Sequence, residues 1–435
     1  DSSPGNLQLT QKGDYLYVLG KGGQLKKVAI KDDKVERLTV SSQVQVRSAE
    51  ENEQIYFEAW RALNKGFYDP QFHGYDFEAL RDKYFPLAQQ ASTPEDFQFT
   101  FNLMLGQLNA SHMGMRGIEN PKDTQTQKSG LIGIEGINTE DGFEVAHIVP
   151  NSPLVKASTP IEKGDVIQAI DQSRISLDTN LFSLLMNRAD NPLLIELKRG
   201  EDTLESILWP TSSLASENYD AWVEGRRELV DTYSDGKLGY LHIQGMNWGS
   251  FERFETELVA AGHGKEGIVI DVRYNGGGWT TDYLMAVLNV KQHSYTIPRG
   301  AASDLEAEHR KFKNNYPFGE RLPFPFLGKP SIAICNENSY SNAEIFSHAY
   351  KGLKLGKLVG QPTFGAVIST GSYGLLDGSY VRMPLRAWYV KDTEMGMEHN
   401  PAVPNILVEN PPAYKARGVD PQLKRAVDEL LKQID

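Results

Sequence analysis

Between Glu266 and Trp279 an apolar run, Gly-Ile-Val-Ile, ends in Asp271 and passes after four more residues into three consecutive glycines, Gly276, Gly277 and Gly278. A run without alternation suits a strand buried on both faces, as in a parallel sheet covered by helices. Glycines directly after such a strand let backbone amides approach a ligand closely. Two further runs, Leu238-Gly-Tyr-Leu-His-Ile243 and Ser331-Ile-Ala-Ile-Cys335, read as buried strands, and 250–261, 281–290, 342–353 and 421–434 read as helices. Residues 214–435 are therefore expected to form an α/β domain.

A chain of 435 residues exceeds one ordinary core, and about three domains are expected. Residues 46–125 turn helical: Ile55, Phe57, Trp60, Leu63 and Phe67 recur at helical spacing, and Ser92-Thr-Pro-Glu-Asp96 reads as a cap and first turn. That region ends in Leu108-Asn-Ala-Ser-His-Met-Gly114. Residues 126–213 carry short strands at 130–135, 142–148, 165–170 and 193–198, separated by Gly and Pro. This part resembles a PDZ domain, in which a glycine-containing loop, here Gly130, Leu131, Ile132 and Gly133, precedes the strand that receives an extended peptide. Residues 1–45 read as three short strands at 15–19, 25–30 and 35–40, the remnant of a larger N-terminal β-domain. The full expectation is a multidomain α+β chain: β remnant, helical domain, PDZ-like β-domain, α/β catalytic domain.

Composition removes several function classes. A net charge of −12 opposes a nucleic-acid partner, and no apolar run approaches the ~20 residues of a membrane-inserted helix. Cys335 is the single cysteine and lies in an apolar run, so it reads as a buried structural thiol. No histidine pair has metal-binding helical spacing, so neither metal nor cofactor is expected. Asp1-Ser-Ser-Pro-Gly5 has neither the basic start nor the apolar stretch of a signal peptide. With the natural N-terminus expected to lie upstream, cytoplasm and periplasm both stay open.

The chemistry concentrates at Asn336-Glu-Asn-Ser-Tyr-Ser-Asn-Ala-Glu344, where a buried strand gives way to a helix and Ser341 stands at the helix start. Free amides there carry partial positive charge and suit an oxyanion formed when a hydroxyl attacks a carbonyl. Such a serine is either a cap or a nucleophile. Gly277 supplies a second candidate oxyanion donor beside the amide of Asn342, with Gly276 and Gly278 bordering the ligand. A phosphate-binding use of the glycines lacks its Lys-Ser/Thr signature.

These segments, with the Ser111-His112 pair after the helical region, the PDZ-like part and the terminal Gly418-Val-Asp-Pro-Gln422 stretch, resemble the catalytic portion of the tricorn and tail-specific (C-terminal processing) protease superfamily. The resemblance covers the chain from about Ala49 onward. It implies a ClpP/crotonase-like catalytic fold and a Ser-His-Ser-Glu tetrad: Ser341 attacks, His112 takes its proton, and Ser111 and Glu398 orient the imidazole. Glu394 lies four residues before Glu398, and no register is fixed over 393–400. Related enzymes with a Ser-Lys dyad carry lysine after a Thr-Phe-Gly turn, whereas Thr363-Phe-Gly-Ala366 has alanine there. The implied activity is that of a serine endopeptidase or oligopeptidase acting on peptides or unfolded proteins, as a trimer or hexamer. The alternatives are a catalytically inactive peptide-binding scaffold, or a hydrolase or apolar-ligand carrier on the same fold.

Overall fold

The structure, a computed structural model, describes residues 5–41, 45, 47–117, 127–290, 295, 297, 299–313 and 327–434. The expected junction at 125/126 and much of the long connection 294–329 lie outside these residues.

Four short strands open the chain: β1 (Asn6–Leu9), β2 (Tyr15–Leu19), β3 (Leu25–Ala29) and β4 (Val35–Leu38), paired antiparallel in that order. The sequence predicts three; β1 is the addition. It carries only two apolar residues, both exposed, so no burial signal marks it.

Three helices follow, α1 (Ser48–Gly66), α2 (Phe77–Gln89) and α3 (Pro94–Gly106). Thr93 caps α3 by accepting from the Asp96 amide (3.1 Å), and Pro94 fills the first turn where no amide partner is needed. Ile55, Tyr56, Trp60 and Leu63 of α1 close a core with Phe77, Tyr84, Phe101 and Met104. The short strand β5 (Gly114–Arg116) ends the segment.

A second antiparallel sheet uses β6 (Ile134–Thr139), β7 (Gly142–Ile148), β8 (Val166–Ile170), β9 (Ser173–Arg174), β10 (Leu193–Arg199) and β11 (Asp202–Leu208), with α4 (Leu181–Leu184) beside it. The order is β11-β10-β8-β7-β6, with β9 on β8, so β6 is an edge strand.

The α/β part begins with α5 (Ala215–Ser234), then β12 (Leu238–His242), α6 (Trp248–Gly262), β13 (Gly267–Asp271), α7 (Thr281–Leu288), α8 (Leu305–Glu308), β14 (Ser331–Cys335), α9 (Asn342–Gly352) and β15 (Leu358–Gly360). A hairpin of β16 (Ile368–Gly374) and β17 (Tyr380–Ala387), the two-residue β18 (Ile406–Leu407) and α10 (Pro421–Ile434) complete it. Strands β12-β13-β14-β15-β18 form one parallel sheet. Every residue of β12, β13 and β14 is buried, as their unbroken apolar runs require. Alternate residues face two cores. Ile268, Ile270, Ala333 and Cys335 meet α6, α7 and α9 on one side; Tyr240, Val269, Ile332 and Ile334 meet α5 and α10 on the other. Burial holds the Cys335 thiol well above its usual value.

The third sheet, β16-β17-β5, joins the helical part to the α/β part. Val381 of β17 pairs with Met115 of β5, and both sink into the core built by α1–α3.

Candidate active site

The turn between β14 and α9 is stitched to the end of β13. Asn336 accepts from the Tyr274 amide (3.1 Å), Ser339 Oγ donates to Val272 O (2.8 Å), and the Tyr340 amide donates to Asn275 O (2.9 Å). Ser341 sits at the tip with φ +58° and ψ −117°. For a residue with a Cβ such a backbone costs about 1–3 kcal/mol and persists only when its surroundings hold it. Glu344 is what holds it. Its fully buried carboxylate accepts from the Ser341 amide (3.0 Å), Thr363 Oγ1 (2.7 Å), the Ala366 amide (2.9 Å) and the Gly365 amide. Burial raises the Glu344 pKa above its ordinary value despite these donors. Ala366 stands in that turn, so the Thr-Phe-Gly segment buttresses Ser341 and presents no amine.

His112 arrives from the other side of the chain. After α3 the backbone turns through positive φ at Asn109 (48°) and His112 (62°). His73 Nδ1 binds Leu108 O (2.8 Å) and His399 Nε2 binds Asn109 O (2.9 Å), while Asn102 pairs with both the amide and the carbonyl of Met115. Sequence reasoning assigned His73 and His399 no role; here they pin the loop that carries Ser111 and His112. Nothing in either residue's local pattern signals this.

The four residues expected at the site meet. Ser341 Oγ lies 2.9 Å from His112 Nε2, His112 Nδ1 lies 2.7 Å from Ser111 Oγ, and Ser111 Oγ donates to Glu398 Oε2 at 3.0 Å. Glu398 also accepts from the Ser111 amide (2.7 Å) and the Val367 amide (2.8 Å). Glu398, and not Glu394, reaches Ser111. A carboxylate can only accept, so the Ser111 proton points to Glu398 and its oxygen accepts from Nδ1–H. Nε2 then has its lone pair toward the Ser341 hydroxyl. Tyr340, not foreseen from the sequence, stacks on the imidazole (4.8 Å between centroids, 11°) with its hydroxyl 3.1 Å from Nδ1.

The triple-glycine turn faces the same serine. A Cβ at Gly277 would lie 2.7 Å from both Ser341 Cβ and Tyr340 O, and one at Gly278 would lie 1.9 Å from Met246 O, so neither position admits a side chain. The Gly277 amide donates to Asn275 Oδ1 (2.9 Å), which qualifies the expectation of a free donor there. Asn342 is the first residue of α9, and its amide has no intrahelical acceptor. Asn275, buried and donating to Ile243 O (2.8 Å), shapes the turn and was also missed. Gly276, Gly277, Gly278, Trp279, Ser341, Asn342 and His112 line a cleft of ≈ 610 Å³ whose far wall is 367–370 with Arg382 and Trp388.

A second cavity, ≈ 540 Å³, lies on the β6–β11 sheet. Gly130, Leu131, Ile132 and Gly133 line it with Leu181, Phe182 and Leu185. The Gly130 and Leu131 amides are already bound to Leu185 O and Thr211 O, both at 2.7 Å, so the edge of β6, and not those two amides, is the surface left for a peptide backbone.

Peptidase family S41 matches residues 237–408, the tricorn protease C1 domain residues 48–106, and a PDZ domain residues 130–206. By these matches the chain is similar to the tricorn and tail-specific protease superfamily. It is 24% identical to the tricorn protease of Thermoplasma volcanium, across 92% of this chain and 38% of that one. With tricorn protease homolog 1 of Streptomyces coelicolor the figures are 28%, 88% and 35%. The chloroplastic C-terminal processing peptidase of Tetradesmus obliquus is 25% identical across 80% and 74%. The fold of this chain is similar to that of the crystal structure of the tricorn protease, with a TM-score of 0.83 at 23% identity over 99% of this chain and 41% of that one. The chain thus spans well under half the length of the tricorn relatives it matches. No described helix is long and apolar enough to cross a membrane.

Proposed function

We propose that this chain hydrolyses peptide bonds in peptides or unfolded polypeptides through an acyl-enzyme on Ser341. In this reading His112 takes the Ser341 proton and later hands it to the departing amine, Ser111 and Glu398 hold the imidazole tautomer, and the amides of Asn342 and the Gly277 turn receive the oxyanion. The observation that carries it is the unbroken chain from Ser341 Oγ through His112 and Ser111 to Glu398, with links of 2.9, 2.7 and 3.0 Å. An inactive scaffold is disfavoured by that chain and by the strained backbone of Ser341, which peptide binding alone does not use. The edge of β6 holds an extended segment of substrate by strand addition. The same proposal includes a ClpP/crotonase-like α/β domain from 214, β1–β4 as the end of a larger β-domain, and assembly into a trimer or hexamer. A fluorophosphonate probe tests it: label on Ser341, found by mass spectrometry and accompanied by cuts in a peptide library, is expected. Absence of both label and cleavage overturns the reading.

Two predictions arise directly. Burial, followed by the nearby Arg382 charge, pushes the His112 pKa down to about 4. Its neutral form is the base, so activity persists as pH falls through 6.5 and is lost only near 4; the acid limb of kcat/KM against pH is expected at about 4. For Gly277→Ala, the new Cβ collides with Ser341 at a backbone φ of +89°, and kcat/KM is expected to fall about 100-fold or more. Circular dichroism would show the fold retained.

A further inference from the structure

The parallel sheet of the α/β part ends at β12, which pairs with β13 alone. All five residues of β12 are buried. Just beyond the strand the Ile243 amide donates to Asp271 O at 2.9 Å, so alternation turns the backbone polar groups of Gly239 and Leu241 toward β13 and those of Leu238 and Tyr240 outward. The Leu238 amide finds Ser234 Oγ at 3.1 Å. Among the described residues nothing meets Leu238 O or the amide and carbonyl of Tyr240. Buried main-chain groups are almost always bonded, and these open onto a groove of ≈ 610 Å³ lined by Leu238, Gly239 and Tyr240. That groove shares no lining residue with the cleft at Ser341.

Two unlike walls flank this open edge, because α5 and α6 pack on opposite faces of the sheet. From α5 come Glu224, Arg227, Glu228 and Asp231, which share one helix face at spacings of three and four. Arg227 binds Glu224 and Glu257 of α6, both at 3.1 Å, and Lys265 binds Asp231 at 2.8 Å. Glu228 has no ion pair among the described residues. Four lining carboxylates thus face two lining cations, with Arg253 from outside the groove also on Glu257 at 2.7 Å. On the α6 side the wall is formed by two small residues, Ala260 and Ala261. A strand laid along β12 would send successive side chains to opposite faces, one set toward the acidic flank of α5 and the other onto the alanines.

We propose that the open edge of β12 binds an extended segment of a partner polypeptide, in which Lys or Arg alternates with small apolar residues, as a sixth strand of the sheet. The unpaired groups of Leu238 and Tyr240 supply backbone hydrogen bonds. The excess carboxylates over α5 select the basic side chains, and the space above Ala260 and Ala261 takes the apolar ones. The inference goes beyond the peptidase reading and does not depend on it.

The test uses the full chain carrying Ser341→Ala, so that no probe is cut, and three fluorescent peptides bearing a benzophenone: acetyl-Lys-Val-Lys-Val-Lys-amide, its counterpart with Glu for Lys, and the lysine peptide methylated at every backbone amide. Anisotropy gives the Kd, and mass spectrometry of photo-crosslinks gives the place. The lysine peptide is expected to bind about tenfold or more tighter than either of the others, and to crosslink within 224–231 or 257–265. Ala260→Trp fills the groove from its α6 wall and should weaken that binding about tenfold or more. Glu228→Lys should reduce the preference for lysine over glutamate by about threefold or more. Both positions are exposed, so a thermal melt should match the parent; if Ala260→Trp fails to fold, Glu228→Lys decides. Crosslinks confined to β6 or to the Ser341 cleft, equal binding of the lysine and glutamate peptides, undiminished binding of the methylated peptide, or no effect of either folded variant overturns the proposal. Sedimentation without peptide covers the remaining occupant: an assembly of this chain that dissolves in Ala260→Trp assigns the edge to a second copy and overturns the basic partner.

Discussion

Ser341→Ala is expected to reduce kcat/KM for peptide hydrolysis by about 10⁴-fold or more while leaving the melting temperature within a few degrees of the parent. The Oγ is the atom that His112 Nε2 addresses at 2.9 Å, and without it no acyl-enzyme forms. Residual turnover would come from the oxyanion amides and from binding alone, and residues that act as one unit fail together, so His112→Ala should cost about as much and the double variant little more. The fold should survive because Ser341 contributes to the turn through its amide, which donates to Glu344 at 3.0 Å, and alanine keeps that amide. The measurement is steady-state hydrolysis of a quenched peptide beside a thermal melt. Hydrolysis at the parent rate would remove Ser341 from the chemistry.

Arg273→Met is expected to lower global stability by about 3–5 kcal/mol, the usual cost of removing one partner of a buried ion pair. Arg273 is completely enclosed. Its Nη2 and Nε donate to Asp271 at 2.6 and 3.0 Å, and its Nη1 donates to Asp420 at 3.0 Å and to Gln422 at 3.1 Å. Burial alone would raise the Asp271 carboxyl, but the charge and hydrogen bonds of Arg273 outweigh it and hold the pKa below its ordinary value. Methionine fills similar volume yet leaves the buried Asp271 without its cation and Asp420 with Arg226 alone, whose Nε lies 3.5 Å away. Arg273 also ties the end of β13, from which the triple-glycine turn departs, to the start of α10. Denaturant unfolding would report the loss, and an unchanged midpoint would contradict it.

The α/β core was readable from the chain because strands buried on both faces spell themselves as uninterrupted apolar runs: β14 falls where its run predicts, and α10 does too. The hairpin β16–β17 was not. β16 is largely half-exposed and contains Gly371 and Gly374, and β17 contains Pro384, so neither displays a clean period of two. Missing the hairpin meant missing Arg382. The long helix α5 escaped because its fully buried apolar residues, Val223 and Val230, stand far apart while Tyr219, Trp222 and Tyr233 are only partly covered. At the candidate site the helix-start position of Ser341 and the close approach at Gly277 followed from local rules. The meeting of His112 with Ser341 did not. Their contact spans 229 positions, and no local pattern encodes a partner that distant; family resemblance supplied it. Glu344 was hidden for another reason, since an acidic residue in the first turn of a helix reads as ordinary capping until its buried donors are seen.

Among the described residues, the strand pairing beside the loop that bears His112 is three residues long, Gly114, Met115 and Arg116 against Arg382, Val381 and Tyr380. His112 precedes Ser341 by 229 positions, so a polypeptide emerging N-terminus first from the ribosome holds the imidazole before it has a hydroxyl to serve. In the peptidase reading proposed above, cleavage therefore waits until both segments have been made and folded against each other.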